Sequence, residues 1–121
     1  MANPNIVAVT SILGLSTQAA LTTTLTTEIL ACASDKLIKV NSIIIANIDG
    51  SAAVDVSVAI TKSGGSPIMI ASTVSVPADS TLIVIDKNSM IYLNESDNIE
   101  AGASANSDAT ITISYEILDD A

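Results

Sequence analysis

Regular alternation of apolar and polar residues constrains the fold of this chain more than any other feature of its sequence. In AVDVSVAI, residues 53–60, every second residue from Val54 to Ile60 is apolar. The same period appears in ATITISYEI at 109–117 and in LTTTLTTEILA at 21–31. A period of two is typical of strands with one buried face. A helix over 21–31 would place five threonines in helical positions, which their propensity disfavours.

Turn-forming residues separate these segments at short intervals. Asp49-Gly50 is typical of a two-residue hairpin turn, and KSGGS at 62–66 predicts a second hairpin. Further turns are predicted at 77–79, 87–89, 94–98 and 105–108. The sequence therefore predicts eight strands, near 5–12, 19–32, 37–48, 52–61, 67–76, 81–86, 90–93 with 98–104, and 109–118.

Many short strands without crossover helices predict an all-β fold, an antiparallel two-sheet sandwich of jelly-roll type. An immunoglobulin-like sandwich is the alternative, although its paired cysteines and core tryptophan are absent. A length of 121 residues predicts a single domain over 1–121, with 1–15 as an N-terminal arm or strand. The start MANPN has no basic residue, which disfavours a signal peptide, and no apolar run reaches the length of a membrane span.

The residue types present restrict the chemistry that the chain can perform. The sequence has no His, Arg or Trp and no G-x-S-x-G motif, so common general bases and nucleophile elbows are missing. Cys32 has no second cysteine to pair with and lies among apolar residues, which predicts a small buried side chain. The chain is therefore predicted not to be an enzyme.

Charge restricts the partners. Thirteen acidic residues oppose four lysines, which gives a net charge of −9. Such a chain repels the phosphates of nucleic acid and the headgroups of an anionic bilayer, so neither is expected as a partner.

The stretch NESDNIEAGASANSD, residues 94–108, concentrates oxygen ligands of the kind that calcium binds. Its order does not follow the calcium-loop pattern D-x-[DN]-x-[DN]-G, and a single cysteine without histidine excludes zinc. We interpret the acids as solvated turn residues and expect no metal or cofactor, so that Asp97→Ala or Asp108→Ala should cost little stability. The small residues of 101–105 leave room for the close approach of another backbone, either a facing sheet or a partner chain. The acids and amide considered are Glu95, Asp97, Asn98, Glu100 and Asp108.

Two strands are apolar on both faces, which predicts a second covered surface. In 37–48 one phase provides a core face, and the opposite phase still carries two isoleucines. In 81–86 the two phases are likewise both apolar. A second subunit, or residues 1–15, would cover such a face. The predicted core phase is Ile38, Val40, Ile44, Ala46 and Ile48, and the predicted oligomer or docking interface is Ile43, Ile45, Ile83 and Ile85.

Three stretches carry a resemblance: MANPNIVAVTSILG at the start, IASTVSVPADSTLIVIDKNSMIYLNESDNIEA in the middle and ASANSDATITISYEI at the end. In this order, and over nearly the whole chain, they resemble short virion structural proteins of tailed phages, especially marine cyanophages. The resemblance implies association with the virion, at no particular position. We expect a non-enzymatic capsid decoration, neck or tail accessory protein that assembles in the host cytoplasm and contacts other virion proteins. It implies no catalytic residue. Analogy with decoration proteins on threefold positions suggests a homotrimer. The alternative function is a secreted ligand- or carbohydrate-binding β-sandwich module.

Overall fold

The computed structural model describes residues 5–25 and 28–119, and these residues contain no helix. They form nine strands, which are β1 (Ser11–Ala20), β2 (Glu28–Ala31), β3 (Lys36–Asn47), β4 (Val54–Thr61), β5 (Pro67–Val76), β6 (Thr81–Ile85), β7 (Ile91–Leu93), β8 (Asn98–Ala103) and β9 (Ala109–Asp119). A helix that could cross a membrane does not occur in the described part of the chain.

The strands form two antiparallel sheets that pack face to face. The first sheet has the order β1-β9-β3-β6, with β7 also paired to β3, and the second has the order β2-β8-β4-β5. Consecutive strands from β1 to β4 alternate between the two sheets, so each connection crosses from one sheet to the other. This is the connectivity of a jelly roll, as the sequence predicts. In an immunoglobulin sandwich the first two strands share a sheet, so the alternative fold does not apply.

The core between the sheets consists of aliphatic side chains. Val54, Val56 and Val58 of β4 are buried, whereas Asp55 is exposed, which confirms the phase predicted for this strand. In β9, Ile111 and Ile113, two residues apart on the same face, are both fully buried. Each such side chain contributes about 1.5–3 kcal/mol when it is removed from water. The core therefore stabilises the domain without large aromatic rings.

A bulge in β3 overturns the predicted faces of that strand. Its register against β9 slips between Val40 and Ser42, and one extra residue changes the phase of everything that follows. Ile43 and Ile45 are consequently fully buried in the core, while Ile48 is 59% exposed. The prediction that Ile43 and Ile45 lie on an exposed second face is wrong. The predicted core positions Ile44, Ala46 and Ile48 are also wrong, because the first two are only half-buried and Ile48 is exposed.

A second irregularity, in the pairing of β3 with β6, changes the face on which Ile85 lies. The pairing steps from Ile85 to Ile83 on β6 while β3 advances by one residue only, from Ile43 to Ile44. Ile85 therefore points into the core, whereas Ile83 is 63% exposed. Of the four residues predicted as an interface, only Ile83 lies on the surface.

Four further predictions of turns and strands are wrong. Asp49-Gly50 does not close a hairpin, because β3 and β4 lie in different sheets. The predicted strand 90–93 with 98–104 is two strands, β7 and β8, which also lie in different sheets. Near the N-terminus, the first strand begins at Ser11, and the predicted strand 19–32 contains the loop 21–25 before β2. Thr26 and Thr27 of that prediction lie outside the described residues.

The predicted hairpin at 62–66 is confirmed, because β4 and β5 pair antiparallel across it. Lys62 and Gly65 close the turn through a backbone hydrogen bond of 2.8 Å. Gly64 has a φ of +75°, a conformation that glycine adopts without steric cost. Turn-forming residues therefore predicted the hairpin correctly here, where the two flanking strands lie in the same sheet.

Candidate functional site

The acidic turn that opens the stretch 94–108 is tied into the fold. Ser96 occupies the left-handed region with a φ of +69°, and Asp97 N–H donates to the Asn94 carbonyl at 3.0 Å. The Asp97 side chain folds back and accepts the Asn94 N–H at 2.9 Å and Lys62 Nζ at 2.7 Å. Asp97 is only 3% exposed, so its interpretation as an ordinary solvated turn residue is wrong.

Two neighbouring loops hold this turn in place. Cys32 N–H donates to the Asp97 carbonyl, and Ser96 N–H donates to the Cys32 carbonyl, both at 2.9 Å. Asp35 N–H donates to Glu95 Oε2 at 2.6 Å. The loops that follow β2, β4 and β7 therefore meet at one end of the sandwich, and Asp97 joins them through its backbone and its carboxylate.

Cys32 is buried beside this turn, as the sequence predicts. Its thiol lies 3.2 Å from the Lys36 carbonyl, to which it can donate a hydrogen bond. Burial is the main cause that raises the pKa of the thiol above its ordinary value. A buried thiol with a raised pKa is a poor nucleophile, so this cysteine packs rather than reacts.

The acidic residues of the stretch do not converge on one point. Asp97 precedes β8 and Asp108 follows it, so the six residues of that strand place them at opposite ends of the sandwich. At the Asp108 end, hydrogen bonds from the N–H and hydroxyl of Ser51 lower the pKa of Asp49 below its ordinary value. Within residues 5–25 and 28–119, no three acidic or thiol side chains are grouped closely enough to hold a metal ion.

Another backbone does approach Gly102 closely, but it belongs to a loop of the same chain and not, as predicted, to a facing sheet or a partner chain. Loop 22–25 crosses the outer face of the second sheet, where Ala103 N–H donates to the Thr22 carbonyl at 2.8 Å. A Cβ atom at Gly102 would lie 2.9 Å from Leu25 Cα and 3.1 Å from the Thr24 carbonyl oxygen. Glycine is therefore required here by the loop that packs on it.

Gly102→Val is expected to destabilise the fold by about 1–3 kcal/mol, because the loop 22–25 must move away from β8. Urea unfolding followed by circular dichroism measures the change. Gly50→Ala is the matched control, since a Cβ there meets only the Asp79 carboxylate at an ordinary 3.5 Å. Equal stabilities for the two variants would contradict the contact between the loop and β8.

Beside this loop, an open depression of about 200 Å³ lies on the outer face of the second sheet. Asp55 is the one carboxylate among its eight lining residues, and none of the eight is aromatic. Both tyrosines lie in the first sheet, on β7 and β9. The depression therefore lacks the ring platform on which sugar-binding sites rely. Its lining residues are Thr23, Leu25, Asp55, Ser57, Thr73, Gly102, Ala103 and Ser104.

The most distinctive surface is the free edge of β1. This strand pairs with β9 over all ten residues without a register shift, and no other described strand pairs with it. Ile12, Leu13 and Leu15 are 57%, 56% and 42% exposed. The sequence reading missed this edge, although the absence of any charge from 11 to 20 was a signal for it. Ile83 lies on β6, at the opposite edge of the same sheet.

No family model matches the sequence, and no curated protein matches it. Solved structures do match the fold. A chain from the structure of Bacillus endospore appendages, described as disulfide-linked pili, aligns with a TM-score of 0.55 at 12% identity over 92% of this chain and 88% of that one. A chain from the study of the triple jelly-roll fold and turret assembly in an archaeal virus aligns with a TM-score of 0.52 at 12% identity.

That second alignment covers 93% of this chain and 30% of the viral chain. A chain of Sulfolobus turreted icosahedral virus gives the same TM-score and identity, over 93% of this chain and 31% of the viral chain. The present chain thus spans about a third of each viral chain, consistent with one jelly roll. At this identity the likenesses show the fold alone, and they support the jelly-roll assignment.

Proposed function

We propose that this chain is a non-enzymatic structural protein of a virion. The observation that carries the proposal is the jelly roll itself, with sheets β1-β9-β3-β6 and β2-β8-β4-β5, a fold that this chain shares with virion chains of an archaeal virus. The acids of 94–108 separate to opposite ends of β8, and Cys32 is buried. The archaeal virus chains support the same class, because one belongs to a study of a triple jelly-roll fold and turret assembly, and the other to the structure of a turreted icosahedral virus.

The more detailed role is a capsid decoration, neck or tail accessory protein of a tailed phage of the cyanophage type. Its support is the resemblance over 1–14, 70–101 and 103–117. The partners would be other virion proteins and further copies of the chain, and the virion would assemble in the host cytoplasm. A trimer stays a prediction from analogy with decoration proteins.

The pilus-like neighbour suggests a different assembly, a filament held by disulfides. The single cysteine of this chain is buried and its thiol is directed at a backbone carbonyl. An intermolecular disulfide through Cys32 would require that part of the fold to open. The cysteine therefore favours the virion role over a disulfide-linked pilus.

Mass spectrometry of purified particles of the phage that encodes the chain tests the proposed function. We expect peptides of this protein at a constant ratio to the major capsid protein through successive density gradients. A wash of the particles at high salt serves as the control for loosely adsorbed host and lysate proteins. Abundance in the infected-cell lysate together with absence from the particles would refute the virion role.

A further inference from the structure

We propose that the free edge of β1 pairs with β1 of a second copy, antiparallel and about a twofold axis at Gly14. The first sheets of the two copies would then form one continuous sheet across the dimer. The proposal rests on the proposed function for its biological role, since it names the surface through which the structural protein meets itself. It puts a twofold dimer in place of the trimer that analogy with decoration proteins suggests. Four observations carry it.

The first observation is that β1 is the one regular edge among the described strands. Native proteins block sheet edges with short strands, prolines, bulges or charges. At the other edge of the first sheet, β6 and β7 are short and separated by the turn 86–90. β2 has four residues, one of them Glu28, and a register shift. β1 has ten paired residues and none of these devices.

The fourth edge, β5, is as long as β1 and equally free of charge, but it is interrupted. It begins at Pro67, which has no N–H to donate. Its register against β4 shifts twice, and Thr73 has a φ of +52° with its N–H bonded to Ser57 Oγ at 2.9 Å. Because the other edges are blocked, the matching free edge that a second copy can offer is its own β1.

The second observation is that the surface around β1 is neutral. A neutral surface favours another copy of this acidic chain as the partner over a basic protein. The chain as a whole carries −9, which opposes self-association. β1 has no charged residue, and the two acids of β9 are matched by the two lysines of β3. Lys36 is ion-paired with Asp119, and Lys39 Nζ lies 3.9 Å from Glu116 Oε1. The part of the surface that meets the second copy is therefore neutral, and it offers no attraction to a basic partner.

The third observation is a glycine that the single chain does not need. Glycine weakens a strand interior, and it is kept where a backbone turns or approaches closely. Gly14 is absent from the residues with positive φ, and a Cβ there would meet nothing within 4 Å. A glycine at the twofold axis sets no side chain opposite its own copy, so the two strands can pair there without crowding between side chains.

The fourth observation is the pattern of apolar side chains about Gly14. An antiparallel pair centred on Gly14 sets Leu13 of each copy opposite Leu15 of the other, on the core side of the sheet. These two leucines are more than two-fifths exposed in the single chain. Glu116 lies opposite Gly14 in β9, so the two Glu116 residues would be three strand spacings apart, roughly 14 Å. That separation exceeds the screening length of about 8 Å at physiological salt.

Analytical ultracentrifugation at tens of micromolar tests the pairing. We expect a mass twice the 12.3 kDa of one chain. Gly14→Asp, which places two carboxylates at the axis, is expected to weaken the dimer at least tenfold while the strand signal in circular dichroism persists. Ile83→Asp, at an exposed position on the opposite edge of the same sheet, should leave the dimer intact. A monomeric wild-type chain, a trimer, or dissociation by Ile83→Asp alone would overturn the proposal.

Disulfide cross-linking tests the register without relying on a destabilising change. In an antiparallel pair the Cα atoms of facing residues are about 4.5–5.5 Å apart, within the range that a disulfide spans. Gly14→Cys should therefore form a covalent dimer under mild oxidation, and buried Cys32 does not compete. Gln18→Cys, on the same strand and face but four residues from the axis, is the matched control. Equal cross-linking of both variants, or of neither, would overturn the pairing at Gly14.

The two proposals can fail separately. A protein that is present in virions and monomeric in solution keeps the virion role and loses the β1 pairing. A β1-paired dimer that is missing from purified particles keeps the interface and loses the virion role.

Discussion

Ile43→Asp is expected to abolish the folded state. Ile43 is fully buried between the two sheets, where its neighbours in the core are aliphatic. The substitution removes an isoleucine side chain, at a cost of about 2–5 kcal/mol, and adds a carboxyl group without a hydrogen-bond partner, at a cost of several kcal/mol more. A domain of this size is stable by about 5–15 kcal/mol in total, so the loss is comparable with the whole.

Far-UV circular dichroism and the dispersion of amide resonances measure this outcome. Val56→Asp and Ile113→Asp should behave in the same way, because both residues are fully buried. Ile83→Asp is the matched control, since the same change at a position 63% exposed removes little buried surface. A folded Ile43→Asp variant would contradict the core position of Ile43 and return it to the surface.

Asp97→Ala is expected to destabilise the chain by about 2 kcal/mol, well above the 0.5 kcal/mol typical of a surface turn residue. The change leaves the Asn94 N–H without its acceptor and removes the ion pair with Lys62. The Lys62 side chain is 57% exposed and returns to water at little cost, which limits the loss. Urea unfolding monitored by circular dichroism measures the difference.

The matched control is Asp55→Ala, an exposed aspartate in β4 for which a change within about 0.5 kcal/mol is expected. Lys62→Ala, together with the variant that carries both substitutions, completes a double-mutant cycle. Removal of the cation leaves the Asp97 carboxylate buried with one N–H donor, so this variant should also lose stability. If Asp97→Ala and Asp55→Ala unfold at the same urea concentration, the carboxylate does not anchor the turn.

The sequence was informative wherever local pattern and tertiary structure agree. Alternation in β4 and β9 located both strands to within two residues and identified their buried faces. Turn residues located the hairpin at 62–66, and the absence of helical patterns gave the all-β class. These signals are local, because the faces of a regular strand follow from the period of its own side chains.

The sequence was misleading where a strand is irregular. In β3 the alternation changes phase between Val40 and Ser42, and both phases contain isoleucine, so the residues alone do not mark the break. A bulge is set by the register of the partner strand, here β9, which lies some 70 residues further along the chain. Ile43 and Ile45 were placed on the wrong face for this reason, and Ile85 because of the separate irregularity between β3 and β6.

The candidate site was the part least accessible to sequence reasoning. Asp97 looks like any other aspartate in a turn, and its burial depends on Lys62, which reaches it from the β4–β5 turn. Asp49-Gly50 has the composition of a hairpin, yet the flanking strands belong to different sheets. The open edge of β1 likewise follows from the strand order, which leaves β1 with one neighbour.

The amino-acid sequence by itself determined the all-β class, the positions of most strands and the lack of residue types for common catalysis, because these follow from side-chain period and chemistry. Only the tertiary structure decided which isoleucines are core, which aspartate is buried and which edge is free. Each of these depends on a pairing between segments distant in the chain, and the geometry of that pairing is set by the packing of the two sheets.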